Sequence, residues 1–129
     1  MRTLLIIIAI YQGANGALML AAPELWYGIA PGVHDTGPLN THFIRDIGLA
    51  FLAATAALLL ALNEERRTAA VIAALVFLGG HAGLHIVEMF ADGIGPADAL
   101  RDIVLIVVPA FLPLAILRRS GESLRRAAS

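Results

Sequence analysis

Four stretches of this chain are nearly free of charge, and polar residues, glycine and proline cluster between them. The apolar runs cover about residues 4–22, 43–62, 68–90 and 103–117, the last extending to a span over about 97–117. A helix needs about 20 residues to cross a hydrocarbon layer of about 30 Å, within a usual range of about 17–25. The first three runs meet that length directly. The fourth meets it by starting near Pro96 or Ala97. The pattern predicts an all-α fold: a four-transmembrane-helix bundle forming a single integral membrane domain over residues 1–129.

The breaks between runs differ in kind. Asn63–Arg67 is a short polar turn, which makes the second and third helices an antiparallel hairpin. The segment APELWYGIAPGVHDTGPLN, residues 22–40, is long for a bundle connection, a hint of function. Within it Trp26 and Tyr27 suit a membrane–water interface. Gly37-Pro38 reads as a helix start, with Pro38 at the first helical position. In ADGIGPADAL, residues 91–100, Gly93, Gly95 and Pro96 stop one helix and start the next. Glycines inside the runs, such as Gly13, Gly16, Gly48, Gly79 and Gly80, let membrane helices approach closely. Pro109 and Pro113 remove backbone donors and bend the fourth helix. Gln12 and Asn15 interrupt the first run, which therefore reads as a retained span rather than a cleaved leader.

Composition sharpens this. Hydrophobic residues are 59% of the chain and the mean hydropathy is +0.81, both above the range of soluble domains. The net charge is −1, which argues against a polyanionic partner and against nucleic-acid binding. The chain has no cysteine, so disulfides, thiolate metal sites and cysteine redox chemistry are excluded. The arginines are unevenly placed. Arg2, Arg66, Arg67, Arg118, Arg119, Arg125 and Arg126 fall on one side of the predicted bundle, and only Arg45 and Arg101 on the other. Arginine-rich ends stay in the cytoplasm. Both termini are expected there, with residues 23–41 and 91–99 facing outward and the lipid bilayer as the immediate partner.

The runs are not uniformly apolar, and the exceptions align. An α-helix rises about 1.5 Å per residue, which puts His81 roughly 20 Å and His85 roughly 26 Å above the cytoplasmic end of the third helix. By the same measure Asp46 and His42 lie roughly 24 and 30 Å up the second helix, and Asp102 and Asp98 roughly 22 and 28 Å up the fourth. Residues four apart share a helix face. His42 with Asp46, His81 with His85, and Asp98 with Asp102 are each such pairs, and Glu88 follows His85 by three. One polar cavity in the outer half of the membrane is expected from them. Gln12 and Asn15, roughly 13–18 Å up the first helix, lie below it, either closing its inner end or bonding between helices.

Ionisable groups at membrane depth are functional by default. Imidazole suits Zn, Cu and Fe, and carboxylates complete such sites. A histidine pair at i and i+4 grips one ion from one face. The leading expectation is a transition metal (Zn, Fe or Cu) held by His81 and His85, with His42, Asp46, Glu88 and Asp102 as further ligands. Arg45, Arg101 and Asp98 would surround them. Carboxylates and histidines on facing bundle helices also build two-metal sites, although here histidine precedes glutamate. Haem b is an alternative, with His42 opposite His81 or His85. So is a proton relay or a structural charge network without metal. A metal that kept a bound water could support hydrolysis or oxidation, but no catalytic residue is named. The rival class is a non-enzymatic accessory subunit of a larger membrane complex, or a homo-oligomer.

In its length, its four spans and the charged HFIRDIG that opens the second span, the chain resembles the small four-helix bacterial membrane proteins grouped as DoxX-like. The likeness extends over the whole chain. It implies a multi-pass protein of the bacterial inner membrane and a four-helix architecture. Some members are linked to oxidoreductase complexes. It implies no ligand set, and GGHAGLHIVE, residues 79–88, belongs to no pattern of that family.

Overall fold

The computed structural model describes residues 2–91 and 93–127, with side chains described as far as Leu117. All regular structure among the described residues is helical. In chain order it comprises α1 (Arg2–Ala21), α2 (Pro23–Ile29), a 3₁₀ turn (Val33–Thr36), α3 (Thr41–Leu60), α4 (Arg67–Ala91), α5 (Pro96–Asp102), a π-helical turn (Ile103–Val107) and α6 (Val108–Ala127). Four helices are long and apolar enough to cross a membrane: α1, α3, α4 and the run Pro96–Leu117, which joins α5, the π turn and the start of α6. Each packs mainly on the next in sequence, and α1 also touches the fourth.

Local chemistry explains where the helices stop. The second long helix starts at Thr41 rather than Pro38. Asn40 caps it, its Oδ1 accepting the Phe43 N–H at 3.0 Å. An asparagine cap satisfies an amide that the helix leaves unpaired, whereas Pro38 follows Gly37 at φ 139 in an irregular lead-in. At the other end of α3, Arg67 is buried and its Nε donates to the Ala61 carbonyl at 3.2 Å. A cation there ties the hairpin turn to the end of the helix.

The long connection is more ordered than a loop. Pro23 opens α2, and the Trp26 indole N–H donates to Asn15 Oδ1 at 2.9 Å. The Tyr27 hydroxyl donates to the Gly37 carbonyl at 2.8 Å. The segment is thus fastened to α1 and to the lead-in of α3. The bend predicted around Pro109 takes the form of the π turn, in which the Val108 N–H reaches back five residues to the Ile103 carbonyl. Proline breaks the regular ladder, and a wider turn accommodates it.

α1 and α3 make the closest crossing. A Cβ on Gly16 would stand 2.7 Å from the Gly48 carbonyl oxygen, and one on Gly48 would stand 2.9 Å from the Gly16 carbonyl oxygen. Two backbones therefore touch where any side chain would hold them apart. Leu5, Ile8, Met19, Phe51, Leu58, Val71 and Leu78 fill the core around this contact. Outward, large side chains such as Ile10, Val76, Val87 and Phe90 are exposed. Gly48→Ala is expected to lower thermal stability in detergent, by about 1–3 kcal/mol, the usual cost of overpacking. Gly80→Ala, where a Cβ meets nothing within 4 Å, is the control and should leave the melting temperature unchanged or slightly higher.

Candidate functional site

The apolar stripe of α4 runs through Ala70, Val71, Ala74, Leu78 and Ala82. His81 and His85 continue it at helical spacing, so both rings turn into the bundle near the end that carries the long connections. His81 sits in an aromatic clasp. It stacks on Phe77 of its own helix, centroids 5.9 Å apart and planes 11° apart, and meets the edge of Phe51 from α3 at 5.5 Å. Its ring nitrogens make no hydrogen bond with any described residue. His85 lies edge-on to it, with centroids 4.9 Å apart.

His85 is held from the fourth helix. Asp102, the last residue of α5, is 7% exposed. Its Oδ2 lies 3.1 Å from His85 Nδ1, and its Oδ1 accepts the Arg101 Nε–H at 2.8 Å. An ionised carboxylate only accepts, so His85 donates through Nδ1–H, which in the neutral ring leaves Nε2 as the acceptor. Arg101 also donates from Nη1 to Asp98 Oδ1 at 2.6 Å. Its guanidinium lies against Gly32 of the long connection, where an added Cβ would be 2.9 Å from Nη2. Gly32 has φ 79, a backbone that favours glycine, so the same residue makes the turn and makes room for the arginine. Two carboxylates, Asp98 and Asp102, share one guanidinium beside the two imidazoles.

The remaining expected residues lie elsewhere. His42 and Asp46 pair with each other at 3.4 Å on the exposed face of α3, with side chains 89% and 57% exposed. The buried face of that helix runs through Ile44, Gly48, Phe51, Ala54 and Leu58, and a stripe offset by two residues points away from it. Arg45 is exposed as well, with Nε 3.4 Å from the Leu20 carbonyl. Glu88 is exposed near the end of α4, beyond the packed part of the helix, and pairs with no described residue. The single cavity expected from all these side chains is therefore divided: the α4–α5 group faces inward and the α3 pair faces outward. Gln12 and Asn15 also part ways. Gln12 is buried and bonds to no described residue, whereas Asn15 accepts from Trp26 and donates to the Met19 sulfur at 3.7 Å.

Among the described residues, no three His, Asp or Glu side chains converge as a metal-ligand set. Two imidazoles do meet one requirement. With metal–nitrogen distances near 2.0–2.1 Å, two rings on one tetrahedral ion have centroids about 5 Å apart. His81 and His85 are at 4.9 Å. For haem the arrangement is poorer, since no second histidine faces these two from another helix: His42 pairs with Asp46, and His34 packs on Tyr27. Phe51 and Gly32 are neighbours of the site that no local pattern marks, whereas Phe77, four residues before His81 on one helix face, is a neighbour that helical spacing could have found.

No family model matches the chain, and neither curated proteins nor solved structures give a match.

The two carboxylates of the network differ in burial, and that sets their worth. Asp98 is 56% exposed, so Asp98→Ala should cost less than about 1 kcal/mol. Asp102→Ala leaves Arg101 and His85 without their buried partner and should cost about 3 kcal/mol. Melting curves of the two variants in one detergent measure the difference.

Proposed function

We propose that this chain is a multi-pass protein of a bacterial inner membrane, and that it binds one transition-metal ion through His81 and His85, with Asp102 orienting His85. The pairing of His85 Nδ1 with the buried Asp102 carboxylate carries this reading. Metal-ligating histidines almost always give their second nitrogen to a carboxylate or carbonyl, which fixes the tautomer and strengthens the ligand. The excess of carboxylates over guanidinium in the network favours a cation beside it, and the aromatic clasp holds His81 close. Remaining coordination positions would be filled by water or by an incoming ligand, as in an open site.

Membrane insertion is supported by the burial pattern. Only 22% to 33% of the apolar windows of the four long helices is covered within the chain. Soluble monomers rarely leave contiguous apolar surface on that scale. The arginine distribution supports cytoplasmic termini and a site toward the periplasm. A reporter fused to the C-terminus should be active in the cytoplasm only; activity confined to the periplasm would reverse this orientation.

Protein purified without chelator is expected to hold zinc, iron or copper near one equivalent, measured by elemental analysis. His81→Ala and His85→Ala should abolish retention. Asp102→Asn should weaken affinity about 10–100-fold, the usual effect of losing an orienting partner. His42→Ala should change nothing. Acidification should release the metal, because a protonated imidazole has no lone pair to give. Wild-type protein that holds no metal, and takes up none when offered Zn²⁺, Fe²⁺ or Cu²⁺, defeats the proposal and leaves the network as a pin between α4 and α5.

A further inference from the structure

Tyr11 is a polar residue of α1 whose place neither the core nor the site explains. It lies on α1 with 44% exposure, beside an open apolar groove lined by Ile7, Ile10, Ala14 and Leu18. Its hydroxyl donates to the Leu105 carbonyl at 2.8 Å, across to the fourth helix. That carbonyl has a particular problem. In an α-helix it would accept from the N–H four residues later, and that residue is Pro109, which has none. Leu105 is itself 43% exposed, so in a hydrocarbon setting no water would serve its carbonyl. The phenol supplies a donor that Pro109 cannot.

The place of this bond gives it a consequence. Leu105 is the middle residue of the π-helical turn Ile103–Val107, and that turn begins immediately after Asp102. Beyond this contact α1 packs chiefly on α3 and touches the fourth helix lightly. One hydroxyl therefore tethers α1 to the segment whose first turn presents the carboxylate to His85. We infer that Tyr11 is a positioning residue for the His85–Asp102 pair: it satisfies the carbonyl left without its donor by Pro109 and so fixes the π turn that follows Asp102. This rests on the reading of His81 and His85 as the binding site.

The test reads His85 in metal-free protein, so it does not depend on metal being bound. Histidine-labelled protein in lipid nanodiscs is compared by NMR, with the His85 signal assigned from a His85→Gln variant. Wild type should show His85 mainly in the form protonated at Nδ1. Tyr11→Phe should lower the share of that form and speed hydrogen exchange across residues 103–107. Pro109→Ala returns an N–H to the helix, so in that background Tyr11→Phe should have little effect on either signal. In titrations with Zn²⁺, Tyr11→Phe should weaken binding roughly threefold, the scale of one interhelical hydrogen bond in a membrane. An unchanged His85 tautomer in Tyr11→Phe, even with a lower melting temperature, overturns the inference. So does a double variant that behaves like Tyr11→Phe alone. If Tyr11→Phe does not fold, the double variant decides: a wild-type His85 signal supports the inference and failure to fold overturns it. If wild type takes up no Zn²⁺, the metal reading falls while the tautomer comparison still decides the role of Tyr11.

Discussion

A carboxylate carried into an apolar bundle has to be neutralised and hydrogen-bonded, and the burial of Asp102 imposes that demand on everything around it. One oxygen takes the Arg101 Nε–H and the other faces His85 Nδ1. Those partners in turn recruit their own: Asp98 on the far side of the guanidinium, Gly32 beneath it, and His81 against His85. Three parts of the chain that are distant in sequence meet at this point: the connection between α2 and α3, the last turns of α4, and α5.

A second constraint acts on the backbone. Where water is scarce, each interrupted helical bond needs another partner. The chain answers with side chains drawn from neighbouring elements. Asn40 caps α3, Arg67 bonds to the Ala61 carbonyl near its end, and Tyr11 reaches the Leu105 carbonyl beside the π turn. The crossing of Gly16 and Gly48 then brings α1 and α3 into backbone contact without costing either helix a bond. Close packing on one side of α3 leaves its opposite side free. That is why His42 and Asp46 can sit exposed on the same helix whose inner face carries Phe51 to His81.

Much of the architecture could be read directly from the chain. Uninterrupted apolar runs of about 20 residues have few physical solutions, and four long helices are among them. The pairing of His81 with His85 was legible too, because four residues along one helix is a local relation. Asp102 and Arg101 were identifiable as polar groups at matching height. Heights, however, say nothing about azimuth. Counting residues placed His42 and Asp46 level with the α4 histidines, but rotation about α3 turns them away.

By itself the sequence determined the number of long apolar helices, their approximate length and the residues that share each stripe, since these follow from hydropathy and the 3.6-residue period. Which stripes face each other was decided only by tertiary structure, because it depends on how the helices rotate and cross. The glycine contact sets the α1–α3 crossing, and the aromatic clasp joins α3 to His81. The choice of Asp102 over Asp46 or Glu88 as the partner of His85 is of this kind, as is the recruitment of Tyr11 by a carbonyl that Pro109 cannot serve. Each needs two chain segments far apart in sequence to arrive at one place with matching donors and acceptors, and no local pattern encodes that meeting.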